Sequence, residues 1–217
     1  MLLIYVDDII VTGNGNNIIS DLISTLSSEF SLKDLGSLHY FLGLEVIYLP
    51  NGLFVSKKKY TRDLLKHTKM MECTHINTPK ALKPITTPSD EQPIDPTQYR
   101  QLVGSLQYLT FTRPDIVHAV NKACQYFQAP TKADLRVVKH ILRYLKGTME
   151  HGIRFFKQSS LRLTSFYDAD WARCTNTRRS SSRYCIFLGA THGPQSDNPQ
   201  FQDQAPRPNI DPLRLVP

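Results

Sequence analysis

Cysteine is scarce in this chain and poorly spaced for chemistry. Of 217 residues only four are cysteines, Cys73, Cys124, Cys174 and Cys185, and none forms a C-x-x-C pair. A zinc cluster and a disulfide framework are therefore both excluded as organising features, no disulfide-linked partner is expected, and a reducing compartment is the simpler reading. Cys73-Thr74-His75 offers half a metal site without a second half. Long apolar runs are lacking too: no window approaches the roughly 18 residues of a membrane span. Met1 leads directly into strand residues with no basic leader, so neither signal peptide nor membrane partner is expected, and the location is read as intracellular, cytoplasm or nucleus. Acidic residues are in deficit, 19 against 26 Lys and Arg, for a formal charge of +7. That balance favours polyanionic partners such as nucleic acid, although ordinary basic proteins share it.

What is present is a chain able to bury one good core, or one domain with pieces of another. LLIYVDDIIVTG reads as strand, sharp turn, strand, with apolar β-branched residues on both sides of Asp7-Asp8. Residues 17–30 follow as an amphipathic helix, with Ile19, Leu22, Ile23, Leu26 and Phe30 in one stripe. LHYFLGLEVIYLPNGLFVSKKKY reads as two strands joined at Asn51-Gly52, a strong hairpin signal. Lys57, Lys58 and Lys59 read equally as a solvated strand end or as something more specific. Residues 79–96 hold Pro79, Pro84, Pro88, Pro93 and Pro96 among polar residues, which predicts an extended linker.

Three helices are predicted next. The first opens at Asp95-Pro96 and turns Tyr99, Leu102, Leu106 and Leu109 inward. The second runs from near Pro114 to before Pro130. The third has Thr131 as cap with Asp134 three residues on, Gly147 as stop, and Leu135, Val138, Leu142 and Leu145 as its buried face. Arg136, Lys139, Arg143 and Lys146 recur on another face of that helix. Such a row fits a phosphate backbone or a plain solvated face. Strand patterns return after Gly152, in LRLTSFYDADWA and RYCIFLG. From Thr191 onward six prolines and no apolar period predict a disordered tail.

Two carboxylates side by side are poor turn chemistry, because a tight hairpin turn favours Asn-Gly or Asp-Gly. At a turn the in-out alternation of a strand breaks, so Asp7 and Asp8 can approach one small volume. Magnesium is the natural neutralising ion, being hard and oxygen-liganded, and a pair of ions about 4 Å apart serves nucleotidyl transfer. The alternative is an ordinary exposed acidic turn. Asp168-Ala169-Asp170 similarly reads as a strand-end cap or as metal ligands.

Tyr5-Val6-Asp7-Asp8 resembles the polymerase signature of reverse transcriptases. KDLGSLHYFLGLEV, YRQLVGSLQYLTFTRPDI, HILRYLKGT and YDADWA resemble, in the same order, the copia-type retrotransposon polyprotein, so that the likeness covers about residues 2–190. It implies an α+β fold: the C-terminal half of a polymerase palm (1–78), the Pro-rich linker (79–96), a helical thumb and connection (97–152), the truncated start of a ribonuclease H domain (153–190) and an unrelated tail (191–217). It implies that Asp7 and Asp8 bind catalytic magnesium, that Asp168 (or, as the alternative, Asp170) is the first ribonuclease H carboxylate, and that the partner is an RNA/DNA template-primer duplex. The hairpin around Pro50-Asn51-Gly52 is expected to hold the primer end. Arg173 and Arg183 stand where the family usually has glycine, which predicts a distorted hairpin there. The third palm aspartate, the fingers and most of ribonuclease H have no counterpart in this sequence. The expectation is thus an RNA-directed DNA polymerase fragment inactive alone, with a non-catalytic nucleic-acid-binding remnant or the product of a degenerate element as alternatives. Oligomeric state is not legible, and an open sheet edge beside Leu2–Val6 is expected to favour aggregation.

Overall fold

The computed structural model describes residues 1–80, 91–157, 163–170, 181–188, 192–196 and 214–216. The fold is α+β, with all sheet pairings antiparallel. β1 (Leu2–Tyr5) and β2 (Asp8–Val11) form the expected hairpin, followed by α1 (Asn16–Glu29). The register Tyr5↔Asp8 makes Val6-Asp7 the two-residue corner, so Asp8 already belongs to β2. Only Ile19 and Ile23 of the predicted α1 stripe are fully buried, against Val11 with Ile9 and Leu32 alongside. Leu22 and Phe30 remain exposed.

β3 (Tyr40–Phe41), β4 (Leu44–Leu49) and β5 (Gly52–Ser56) are joined by β6 (His151–Phe156) in one sheet. The β4–β5 corner is Pro50-Asn51 rather than Asn51-Gly52, since Gly52 is paired with Leu49. Glycine is required there for another reason. A Cβ at Gly52 would lie 1.8 Å from the Phe155 carbonyl oxygen on β6. β6 itself spans the boundary expected at 152/153, because its backbone ladders onto β5.

The lysine triplet is not a solvated strand end. Lys57 is 3% exposed and caps a helix absent from the sequence-based expectation, α2 (Lys58–His67). Its Thr61, Leu64 and Leu65 turn inward at helical spacing, and Leu64 and Leu65 join the largest core. α3 (Pro96–Leu109) opens as predicted, with the Asp95 side chain accepting from the Thr97 N–H. Val103, rather than Leu102, is fully buried beside Tyr99, Leu106 and Leu109. The second predicted helix is a 3-10 turn (Pro114–Ile116) running into α4 (Val117–Cys124). α5 (Lys132–Gly147) carries the expected capping box between Thr131 and Asp134, and its buried face includes Ile141 and Tyr144 besides Val138, Leu142 and Leu145. Leu135 is half-buried. These helices pack into a single core with α2.

The predicted linker is described only at its ends: residues 81–90 lie outside the described residues. Its C-terminal end is more ordered than expected, since Pro93 bridges to Thr131. β7 (Leu163–Asp170) and β8 (Ser181–Leu188) pair as a separate ribbon. The tail, expected to lack regular structure, contributes two short strands. β9 (His192–Ser196) ladders onto β6, and β10 (Arg214–Val216) takes the free side of β2. Open backbone donors and acceptors on those two strands are what such segments satisfy.

Candidate functional site

The β1–β2 corner is built against local preference. Val6 adopts φ 50°, a left-handed conformation costly for a β-branched residue. Asp7 is exposed at the corner, and Asp8 is half-buried at the start of β2. No hydrogen bond or ion pair from another described residue is recorded for either carboxylate. Both supply hard oxygen donors, the chemistry that suits magnesium. No group of three or more metal-ligating side chains occurs among the described residues, so the pair fits a share of an ion's coordination rather than a closed cage.

A second strained corner adjoins the first. The Tyr5 ring meets Phe41 edge-on at 6.5 Å between centroids, linking the hairpin to β3. The β3–β4 turn has Leu42 at φ 48° and Gly43 at φ 75°, the pair of positive values that a type I′ turn demands. From behind, the Tyr108 hydroxyl of α3 donates to the Leu42 carbonyl at 2.5 Å. Any Cβ at Gly43 would sit 2.8 Å from that hydroxyl.

Lys57 completes the support. Its Nζ donates to the Tyr108 carbonyl at 2.7 Å and lies 3.1 Å from the centre of the Tyr108 ring. Burial pulls its pKa down to about 8. Burial, then the neighbouring Tyr60, Tyr40 and Tyr5 hydroxyls, push the Tyr108 phenol up. Neither Lys57 nor Tyr108 was singled out from sequence. The readable signal was the three- and four-residue spacing of Lys57, Thr61, Leu64 and Leu65.

At the hairpin expected to hold the primer end, Gly52 is pressed on β6, and the Lys157 N–H donates to the Asn51 carbonyl at 2.9 Å. The basic row on α5 divides. Arg136 and Lys139 are exposed. Arg143 Nε donates to the Thr74 carbonyl at 2.8 Å, and Lys146 Nζ to the Cys73 carbonyl at 2.7 Å. The His140 ring lies 2.9 Å from the Thr78 carbonyl on the same strap. Two of the four cations thus hold backbone, a use that neither sequence reading contained. In the β7–β8 ladder Asp168 stands across from Arg183 and Asp170 from Ser181, eight pairs without a break. The register runs unshifted through Arg183, while Arg173 and the turn of that hairpin lie outside the described residues. Asp8 and Asp168 lie in strands of separate sheets, β2 and β7, with Asp7 at the corner before β2.

A buried network that the sequence reading missed lies under the helices. Arg113 is 2% exposed and grips Asp115 through two bonds of 3.0 and 2.7 Å. It also donates to the Thr148 carbonyl, while the Tyr144 hydroxyl donates to Asp115 at 2.8 Å. Burial pushes the Asp115 carboxyl up, but the Arg113 bonds and charge, with Tyr144, hold it below the usual carboxylate range.

Residues 1–82 match the reverse transcriptase (RNA-dependent DNA polymerase) family. An uncharacterised mitochondrial protein of Arabidopsis thaliana is 49% identical over 188 residues, covering 87% of this chain and 78% of that one. The retrovirus-related Pol polyprotein from transposon RE2 of the same plant is 45% identical over 189 residues, but the match takes up 87% of this chain and only 13% of the polyprotein. That from transposon TNT 1-94 of Nicotiana tabacum is 33% identical over 208 residues, 90% of this chain and 16% of the polyprotein. No solved structure matches. No helix among the described residues is long and apolar enough to cross a membrane. On these matches the chain belongs to the reverse transcriptase family of copia-type retrotransposon Pol polyproteins.

Proposed function

We propose that this chain is the section of an RNA-directed DNA polymerase that presents Asp7 and Asp8 to magnesium at the end of a template-primer duplex. The corner geometry carries this reading: two carboxylates without a partner among the described residues, held at a strained turn beside a second strained turn. Magnesium, when bound, supplies charge neutralisation for nucleotidyl transfer. The chain's own part is to hold the Asp7 and Asp8 oxygens at the corner and to brace the neighbouring Leu42-Gly43 turn through Tyr108 and Lys57. That turn, rather than Pro50–Gly52, is the better candidate to touch the primer, because Phe41 ties it to the catalytic hairpin.

Asp168 in β7 would serve a separate ribonuclease H site, with Asp170 as its alternative. The isolated chain is expected not to polymerise, since two carboxylates alone bind magnesium weakly. Manganese titration followed by calorimetry tests the central claim: weak binding is expected in the natural chain and none in Asp7→Asn/Asp8→Asn. Equal binding in both would remove the pair from any metal role. Primer extension by the isolated chain at a rate abolished by Asp7→Asn would instead show it to be self-sufficient. The exposed Arg136 and Lys139 keep a second reading open, a non-catalytic nucleic-acid binder. It predicts duplex binding that is unaffected by Asp7→Asn and weakened by Arg136→Gln/Lys139→Gln.

A further inference from the structure

A groove of about 410 Å³ opens where β3, β4 and the first turn of α2 meet, lined by Tyr40, Glu45, Lys58, Lys59 and Arg62. Three of these five side chains are cations. Glu45, across the ladder from Tyr40, accepts the Lys59 backbone N–H at 2.6 Å, so the helix terminus is already occupied by a carboxylate. Lys58 is paired with Glu150 at 2.5 Å. Two cations are left to face the groove. Lys59 Nζ lies 5.7 Å from the Tyr40 ring centre, within cation–π reach, and Arg62 has no recorded hydrogen bond or ion pair with a described residue. Tyr40 itself is half exposed, and its neighbour Phe41 touches Tyr5 of the acidic hairpin.

We infer that this groove is a binding subsite for the phosphodiester backbone of a nucleic-acid strand, with Lys59 and Arg62 on phosphates and the Tyr40 ring against the adjoining sugar or base. Cations interleaved with an exposed aromatic face are the arrangement by which proteins track a nucleic-acid strand without reading its sequence. An open site of flexible cations suits an extended polyanion better than a small acid, which needs fixed polar groups to orient it. The choice of nucleic acid rests on the polymerase reading above; the anion site itself rests on the groove.

Fluorescence anisotropy of a labelled RNA–DNA hybrid, titrated with the full chain over a range of salt concentrations, tests it. Lys59→Gln/Arg62→Gln is expected to lower the slope of log affinity against log salt by about two units, at about 0.9 per lost phosphate contact. Arg62→Lys should restore part of it, and Lys33→Gln, an exposed lysine that does not line the groove, should lower it less than either groove change alone. An unchanged slope in the double variant overturns the subsite, as does a natural chain that binds no hybrid. Equal competition by polyglutamate also overturns the phosphodiester assignment. If the slope falls while the Asp7/Asp8 variant binds manganese normally, the groove stands and the metal reading fails. The reverse pattern sinks the groove alone.

Discussion

Lys57 holds a cation at a position 3% exposed, while Lys58 and Lys59, which follow it, reach the surface. The Tyr108 ring and carbonyl offset part of the desolvation, yet the group still releases its proton at about 8. The unfolded chain keeps that proton until near 10.5, so between these values the unfolded state binds more protons and stability rises with pH. Burial raises the Tyr99, Tyr108 and Tyr144 phenols and the Cys124 thiol, which makes stability fall towards the top of that window, so the contribution of Lys57 is read as a difference. Urea unfolding from pH 8 upward should give the natural chain a more positive slope of stability against pH than Lys57→Met, and equal slopes would mean that Lys57 titrates as if in water. In the sequence Lys57 differs from Lys58 and Lys59 only in its helical spacing to Thr61, Leu64 and Leu65, a signal that its identical neighbours mask. Asp7-Asp8 was legible for the opposite reason. Two like charges amid apolar strand residues have no packing rationale.

Among elements, the 3-10 turn and α5 are bound by the Arg113–Asp115–Tyr144 network, closed by Thr148 after the helix. Removing one partner of a buried ion pair leaves a charge with no solvation. Arg113→Leu is therefore expected to cost about 3–5 kcal/mol of unfolding free energy. Chemical denaturation measures it, and a loss below about 1 kcal/mol, the range of exposed pairs, would show the network to be peripheral. Local signals gave α5 well, since the Thr131–Asp134 capping box is written in four adjacent residues. They failed for α2, whose N-terminus has no side-chain cap and whose three leading lysines hid a helical apolar spacing. They also failed for the Arg113–Thr148 bond, which spans 35 positions and has no local imprint.

At the scale of the whole molecule, two unlike packing regions share one chain. The helices enclose a well-buried core, whereas β1 lies at a sheet edge with all four residues exposed. Ile4 is 62% and Val6 80% exposed. An apolar edge of this kind templates pairing between copies, and a lysine on it blocks that pairing. Ile4→Lys should reduce light scattering at a given protein concentration without lowering the denaturation midpoint. Unchanged scattering would locate the sticky surface elsewhere, for instance on β7–β8, where Phe166, Tyr167 and Tyr184 are also exposed. The open edge could be anticipated from LLIY at the start of a strand. The joining of β6 to β5, and of β9 and β10 to existing strands, could not, because ladder partners far apart in sequence leave no periodic trace.

The strap from Cys73 to Thr78 is gripped by Arg143, Lys146 and His140 through its main-chain carbonyls alone. Every amino acid offers the same carbonyl, so replacements at positions 73, 74 and 78 can accumulate without loosening that hold. The obligation falls entirely on the helix. In a lineage of drifting copies, the two halves of this contact would age at different speeds.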